Sequence, residues 1–123
     1  MRSWTIRLLI SKLEINDSVE LTGGIPYLDV IHELKTCDIF VFPSKGEMMP
    51  RAVIEAMVIG VPVVASGVDG IIDLIQDGQT GLIVKPGDVS GLAESICNLL
   101  ENPDFAKNNF AVLTLIQMNS RIF

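Results

Sequence analysis

The segment Asp38-Ile39-Phe40-Val41-Phe42-Pro43 is an unbroken apolar run closed by a proline, and Val61-Pro62-Val63-Val64-Ala65-Ser66 repeats the pattern downstream. A strand with one wet face alternates apolar and polar residues, whereas a run without alternation has both faces covered. Both runs are short, and the stretches between them carry a helical period. Strand and helix therefore take turns, which constrains the chain to a parallel sheet lying between helices and joined by right-handed crossovers.

The same alternation extends along the chain. Ile6, Leu9, Ile10 and Leu13 fall on one side of an amphipathic helix spanning 6–15, which stops at Asn16-Asp17-Ser18. Residues 18–23, SVELTG, alternate as a short strand. Pro26 suits a helix start, with Leu28, Ile31 and Leu34 as its apolar face. Further helices are expected over 50–59, 69–77 and 89–100, with a short strand at 81–84. The expected fold class is α/β, a Rossmann-like parallel sheet flanked by helices. It occupies residues 1–104, and 105–123 form an irregular or helical tail without a single apolar face.

At 123 residues and 49% apolar content the chain can bury a core. A net charge of -6, with nine scattered Lys and Arg, argues against nucleic acid, whose phosphates need clustered cations. The longest apolar stretch, 56–68, falls short of the ~20 residues a membrane span needs and contains Pro62. The amino-terminal stretch lacks the apolar core of a signal peptide. Cys37 and Cys97 are far apart and read as reduced thiols, with a disulfide the less favoured alternative. A cytoplasmic protein is expected, with the inner face of a membrane as a peripheral alternative.

Two carboxylates stand out, Glu47 and Glu55, either side of Pro50. In an open parallel sheet, ligands sit beyond the carboxyl ends of the strands, where the loop after Pro43 arrives. Pro50 suits a first helical position, so Met48 and Met49 lie just outside a helix N-terminus whose free N–H groups favour an anion such as a diphosphate. Glu55 falls about one and a half turns into that helix, where a carboxylate can accept two hydrogen bonds from a vicinal diol. A plainer reading stands ahead on spacing alone: glutamates near a helix N-terminus serve its dipole, at about 0.3–1 kcal/mol. Other conspicuous residues have plain explanations. His32 lacks further converging ligands, Asp69 and Asp73 suit capping, Met57 suits packing, and Lys45 suits a solvated loop.

The stretch FVFPSKGEMMPRAVIEAMVIGVPVVAS, followed by GQTGLIVKPGD, resembles the donor-binding half of the group 1 (family 4) retaining glycosyltransferases of the GT-B fold. The E-x7-E element matches Glu47 and Glu55, and Gly60, Pro62, Gly81 and Pro86-Gly87-Asp88 are in place. The resemblance runs from about residue 4 to residue 104. It implies that Glu47 lies beside the donor sugar as the catalytic-site carboxylate, and that Glu55 binds the nucleotide ribose. Backbone amides of Met48 and Met49 would line the diphosphate and sugar, and Gly24 and Ile25 would meet the nucleobase through backbone atoms. The implied reaction is transfer of a hexose from a nucleoside diphosphate sugar to a glycan or lipid-linked acceptor, with no metal and no other cofactor.

Three departures accompany the resemblance. Met48 stands where the family has glycine, the family's Arg and Lys have no counterpart, and neither the acceptor domain nor the closing helices are present. The 1–104 unit is thus expected to be a fragment, truncated on its N-terminal side and inactive alone. Self-association through an open sheet edge is also expected. A non-catalytic folded remnant or partner-docking module of the same fold is the alternative, and a flavodoxin- or receiver-like domain ranks last.

Overall fold

In the computed structural model, which describes residues 3–46, 51–102 and 104, the chain is built on a single strand buried from end to end. This is β2, Val63–Ser66, the middle member of a three-stranded parallel sheet ordered β1-β2-β3. β1, Phe40–Phe42, pairs with it in the register Phe40↔Val63, and β3, Leu82–Val84, in the register Val64↔Leu82. Side chains alternate across a strand, and β2 distributes its residues accordingly. Val63 and Ala65 join one cluster with Leu34, Val53, Met57, Ile71 and Ile75, while Val64 joins a second with Val84 and Leu99.

The helices follow from those two clusters. On the first face lie α2 (Tyr27–Thr36), α3 (Arg51–Ile59) and the single turn α4 (Asp69–Ile72); on the second lies α5 (Val89–Glu101). The remaining helix, α1 (Ser3–Lys12), precedes them. α3 turns its buried Val53, Ala56 and Met57 to the sheet and stops at Gly60, whose φ of 96° only glycine adopts without strain. Val61 N donates to Ala56 O at 2.9 Å and Gly60 N to Met57 O at 3.2 Å, so the last carbonyls of α3 are satisfied by a Schellman turn. α5 starts on Asp88, whose Oδ1 accepts from Gly91 N at 2.9 Å.

Several expectations are corrected. SVELTG forms no strand: residues 19–22 have no regular structure, and Val19 is exposed. Alternation suggests a strand but ladder hydrogen bonds create one, and this segment meets no partner strand among the described residues. β1, whose composition suits a strand covered all round, sits at the sheet edge with all its residues half-buried. Its faces are covered by packing, but among the described residues its outer flank has no neighbouring strand.

The helix expected over 69–77 ends at Ile72; Ile75 N still donates to Ile71 O at 2.9 Å, but Gln76 N donates to Thr80 Oγ1 at 2.9 Å instead of to a helical carbonyl, so the helix does not continue. Asp69 and Asp73 do not cap α4 through their side chains; Val68 is its N-cap residue and makes no side-chain cap bond.

Candidate functional site

In this parallel arrangement the helices run against the strands, so the first turns of α2 and α3 both lie at the carboxyl ends of the strands, where a ligand site in such a sheet belongs. Tyr27 is the first residue of α2 and Arg51 the first of α3, and Glu55 follows Arg51 by one turn. The two helices pack together. The Tyr27 phenol lies near the half-buried Glu55, and the pull of that carboxylate on the phenolic proton, with slight desolvation, holds the phenol above its ordinary value of 10.0, while the exposed Arg51 pulls it the other way.

Gly24 and Ile25 immediately precede this cluster. Gly23 turns the chain with a φ of 66°, Gly24 is exposed, Ile25 is half-buried, and Pro26 leads into α2. The chain thus delivers the Gly24-Ile25 backbone to the same end of the sheet as Glu55. On the other side, the loop leaving β1 is closed locally. The Ser44 hydroxyl accepts from Gly46 N at 3.3 Å and lies 3.2 Å from Gly46 O, with Lys45 exposed beside it. Glu47, Met48 and Met49, together with Pro50, lie outside the described residues. Of the expected site residues, Glu55, Gly24 and Ile25 are therefore the ones whose setting can be given. Tyr27 and Arg51, which lie near Glu55, carry no motif signal, although Pro26 as a helix start already puts Tyr27 in the first turn of α2.

A cavity of about 460 Å³ lies at the opposite end of the sheet, below the starts of β1 and β2, lined by Lys35, Asp38, Ile39, Val61, Pro62 and Leu99 among others. It is remote from Glu55 in the fold and opens where ligands of parallel sheets do not bind. Cys37, at its rim, is a free thiol pushed up chiefly by burial, and its Sγ is 3.5 Å from Leu34 O. Cys97 is also free. Among the described residues no group of His, Cys, Asp and Glu is arranged to hold a metal ion. Met57, 1% exposed, is a core residue, as its position on the helix suggests.

With this geometry established, comparison with known proteins identifies the family. The sequence model of "Glycosyl transferases group 1" matches residues 3–110. The chain belongs to this family. Among its relatives, a sulfoquinovosyl transferase of Arabidopsis thaliana is 43% identical over 96 residues, covering 76% of this chain and 19% of that protein. An exopolysaccharide phosphotransferase of Streptomyces coelicolor is 40% identical over 97 residues, covering 77% of this chain and 10% of that protein. Among solved structures, a sucrose-phosphate synthase of Thermosynechococcus elongatus superposes with a TM-score of 0.81 at 27% identity, over 95% of this chain and 32% of that one. The chain thus spans between a tenth and a third of the length of these group 1 relatives. The three-stranded sheet and its helices are part of a GT-B fold.

Proposed function

We propose that this chain is the donor-binding part of a retaining glycosyltransferase. The donor is a nucleoside diphosphate sugar whose hexose passes to a glycan or lipid-linked acceptor, and the chain does not turn over alone. The observation that carries this reading is Glu55, a half-buried carboxylate at the carboxyl end of the sheet, one turn from the N-terminus of α3. A carboxylate so set can accept both hydroxyls of a ribose. The diphosphate then falls toward the amide end of α3, where N–H groups offset the negative charge that grows on it as the sugar leaves. Gly24 and Ile25 offer backbone to the base, Met48 and Met49 offer amides to the diphosphate and sugar, and Glu47 is assigned to the sugar hydroxyls. No metal is part of this proposal.

The chain would act in the cytoplasm or at the inner face of a membrane; among the described residues no helix is long and apolar enough to cross one. Self-association belongs to the same proposal. The second reading is a folded module that docks on a partner without holding the donor. It is favoured by Met48, a bulkier residue than the glycine that the family has at this position. Thermal unfolding separates the two. A ligand at a hundred times its Kd stabilises the fold by about 2.7 kcal/mol, so UDP- or GDP-sugars at millimolar concentration should raise Tm, and Glu55→Ala should remove the rise. A flat Tm with every nucleotide sugar overturns donor binding and leaves the module.

A further inference from the structure

The cavity below the starts of β1 and β2 is walled by both apolar clusters at once. Ile59 and Val61 pack on the side of α2 and α3, Ile39 and Leu99 on the side of α5, and Leu100, 57% exposed, adds to the wall. Its volume of about 460 Å³ is that of a true binding pocket, roughly 300–1,000 Å³. Apolar wall of this kind is costly to leave in water, and filling the hollow would join the two clusters into one core.

The chain carries a segment suited to that place. Asp104 is both a wall residue of the cavity and the last described residue, so residues 105–123 set out from the cavity's own rim. Residues 110–116, FAVLTLI, are apolar at every position except Thr114 and begin six residues after Asp104. Six residues reach at most about 20 Å, which suffices to return to a hollow that starts at Asp104. Charge agrees as well. All fifteen Asp and Glu precede residue 105, and the charged residues after it are the cations Lys107 and Arg121. The rim they would meet carries Asp38 and Asp104 against one lysine, Lys35.

We propose that residues 105–123 dock on their own chain, laying apolar side chains of 110–116 into this cavity. A tethered segment acts at an effective concentration on the order of millimolar, so at micromolar protein it outcompetes a second copy for the same hollow. The docking stands apart from donor binding, which is placed at the other end of the sheet.

The two cysteines supply the test. Both thiols are free and exposed on the described surface, but Cys37 lines the cavity and Cys97 lies on α5 away from its described wall. A docked segment shields Cys37 alone. In the 123-residue chain with Cys97→Ser, adding Phe110→Asp and Leu113→Asp should speed the reaction of Cys37 with dithionitrobenzoate at least about tenfold, the scale set by burying one such side chain. With Cys37→Ser instead, the same pair should leave the rate at Cys97 unchanged. No acceleration at Cys37, or equal acceleration at both thiols, overturns the proposal.

A second measurement identifies the occupant directly. Each of residues 110–116 is replaced by cysteine in turn, in chains carrying Cys97→Ser, and oxidation is followed in dilute solution. Docking predicts a bridge to Cys37 within one chain at one or two positions far above the others. Equal bridging along the segment overturns it, and bridges formed only between chains overturn it in favour of a second copy.

Discussion

Tyr27 links the stability of the fold to pH through the nearby Glu55 carboxylate. Its folded-state value lies above the ordinary 10.0, so the folded chain holds the phenolic proton more tightly than the unfolded chain does. The stabilisation is therefore fully present below pH 10 and is lost as pH rises through the raised value. Urea midpoints of wild type and Tyr27→Phe should differ slightly at neutral pH and converge above pH 10; a gap that persists or widens there would contradict this influence of Glu55. The same residue shows what a sequence conceals. Glu55 stood out in the sequence because it belongs to a spaced motif, whereas its neighbour Tyr27 comes from another helix, and proximity between elements leaves no local spacing. Gly24 and Ile25 stood out only through their position in the chain, and their proposed role through backbone atoms would leave no side-chain signature.

At the level of elements, the alternation of apolar runs was enough to give β1, β2, β3 and the helices between them, because burial of a strand on both faces leaves its mark on every residue of the run. What it could not give was edge position. β1 and β2 look alike in sequence, and only the ladder makes one central and the other marginal. Turn geometry is the other element-level constraint, and the turn entering β3 brings a glycine up against the backbone of the central strand. A methyl group on Gly81 would lie 3.1 Å from both Ile75 Cγ2 and the Val63 carbonyl oxygen. The isoleucine can shift slightly, but Val63 is fully buried backbone of the central strand and cannot. Gly81→Ala should therefore overpack the α4–β3 connection and destabilise the fold by about 1–3 kcal/mol. Chemical denaturation would measure it, and an unchanged midpoint would mean that β2 yields where its burial says it cannot.

Across the described residues, two apolar clusters enclose the sheet from above and below, but β1 ends the sheet with no neighbouring strand and no charge or proline within it. Natural sheets charge, kink or cover such strands; β1 is Phe-Val-Phe. α1 and the turn after it add apolar surface, with Leu8 and Leu9 at 62% and 46% exposure and Leu13, just beyond the helix, at 57%. Scattered exposed leucines need no explanation, but three in so short a stretch, together with a strand edge unpaired among the described residues, favour association. A net charge of -6 opposes it, so the balance should depend on salt: screening the mutual repulsion lets the apolar surfaces meet. Light scattering should give a mass above the 13.4 kDa monomer that rises with protein concentration and with ionic strength. Leu8→Glu with Leu13→Glu should lower it without unfolding the chain, since both side chains are exposed. A monomeric mass at every concentration and salt would show that the open edge of β1 and the face of α1 tolerate water, and would remove self-association from the account of this protein.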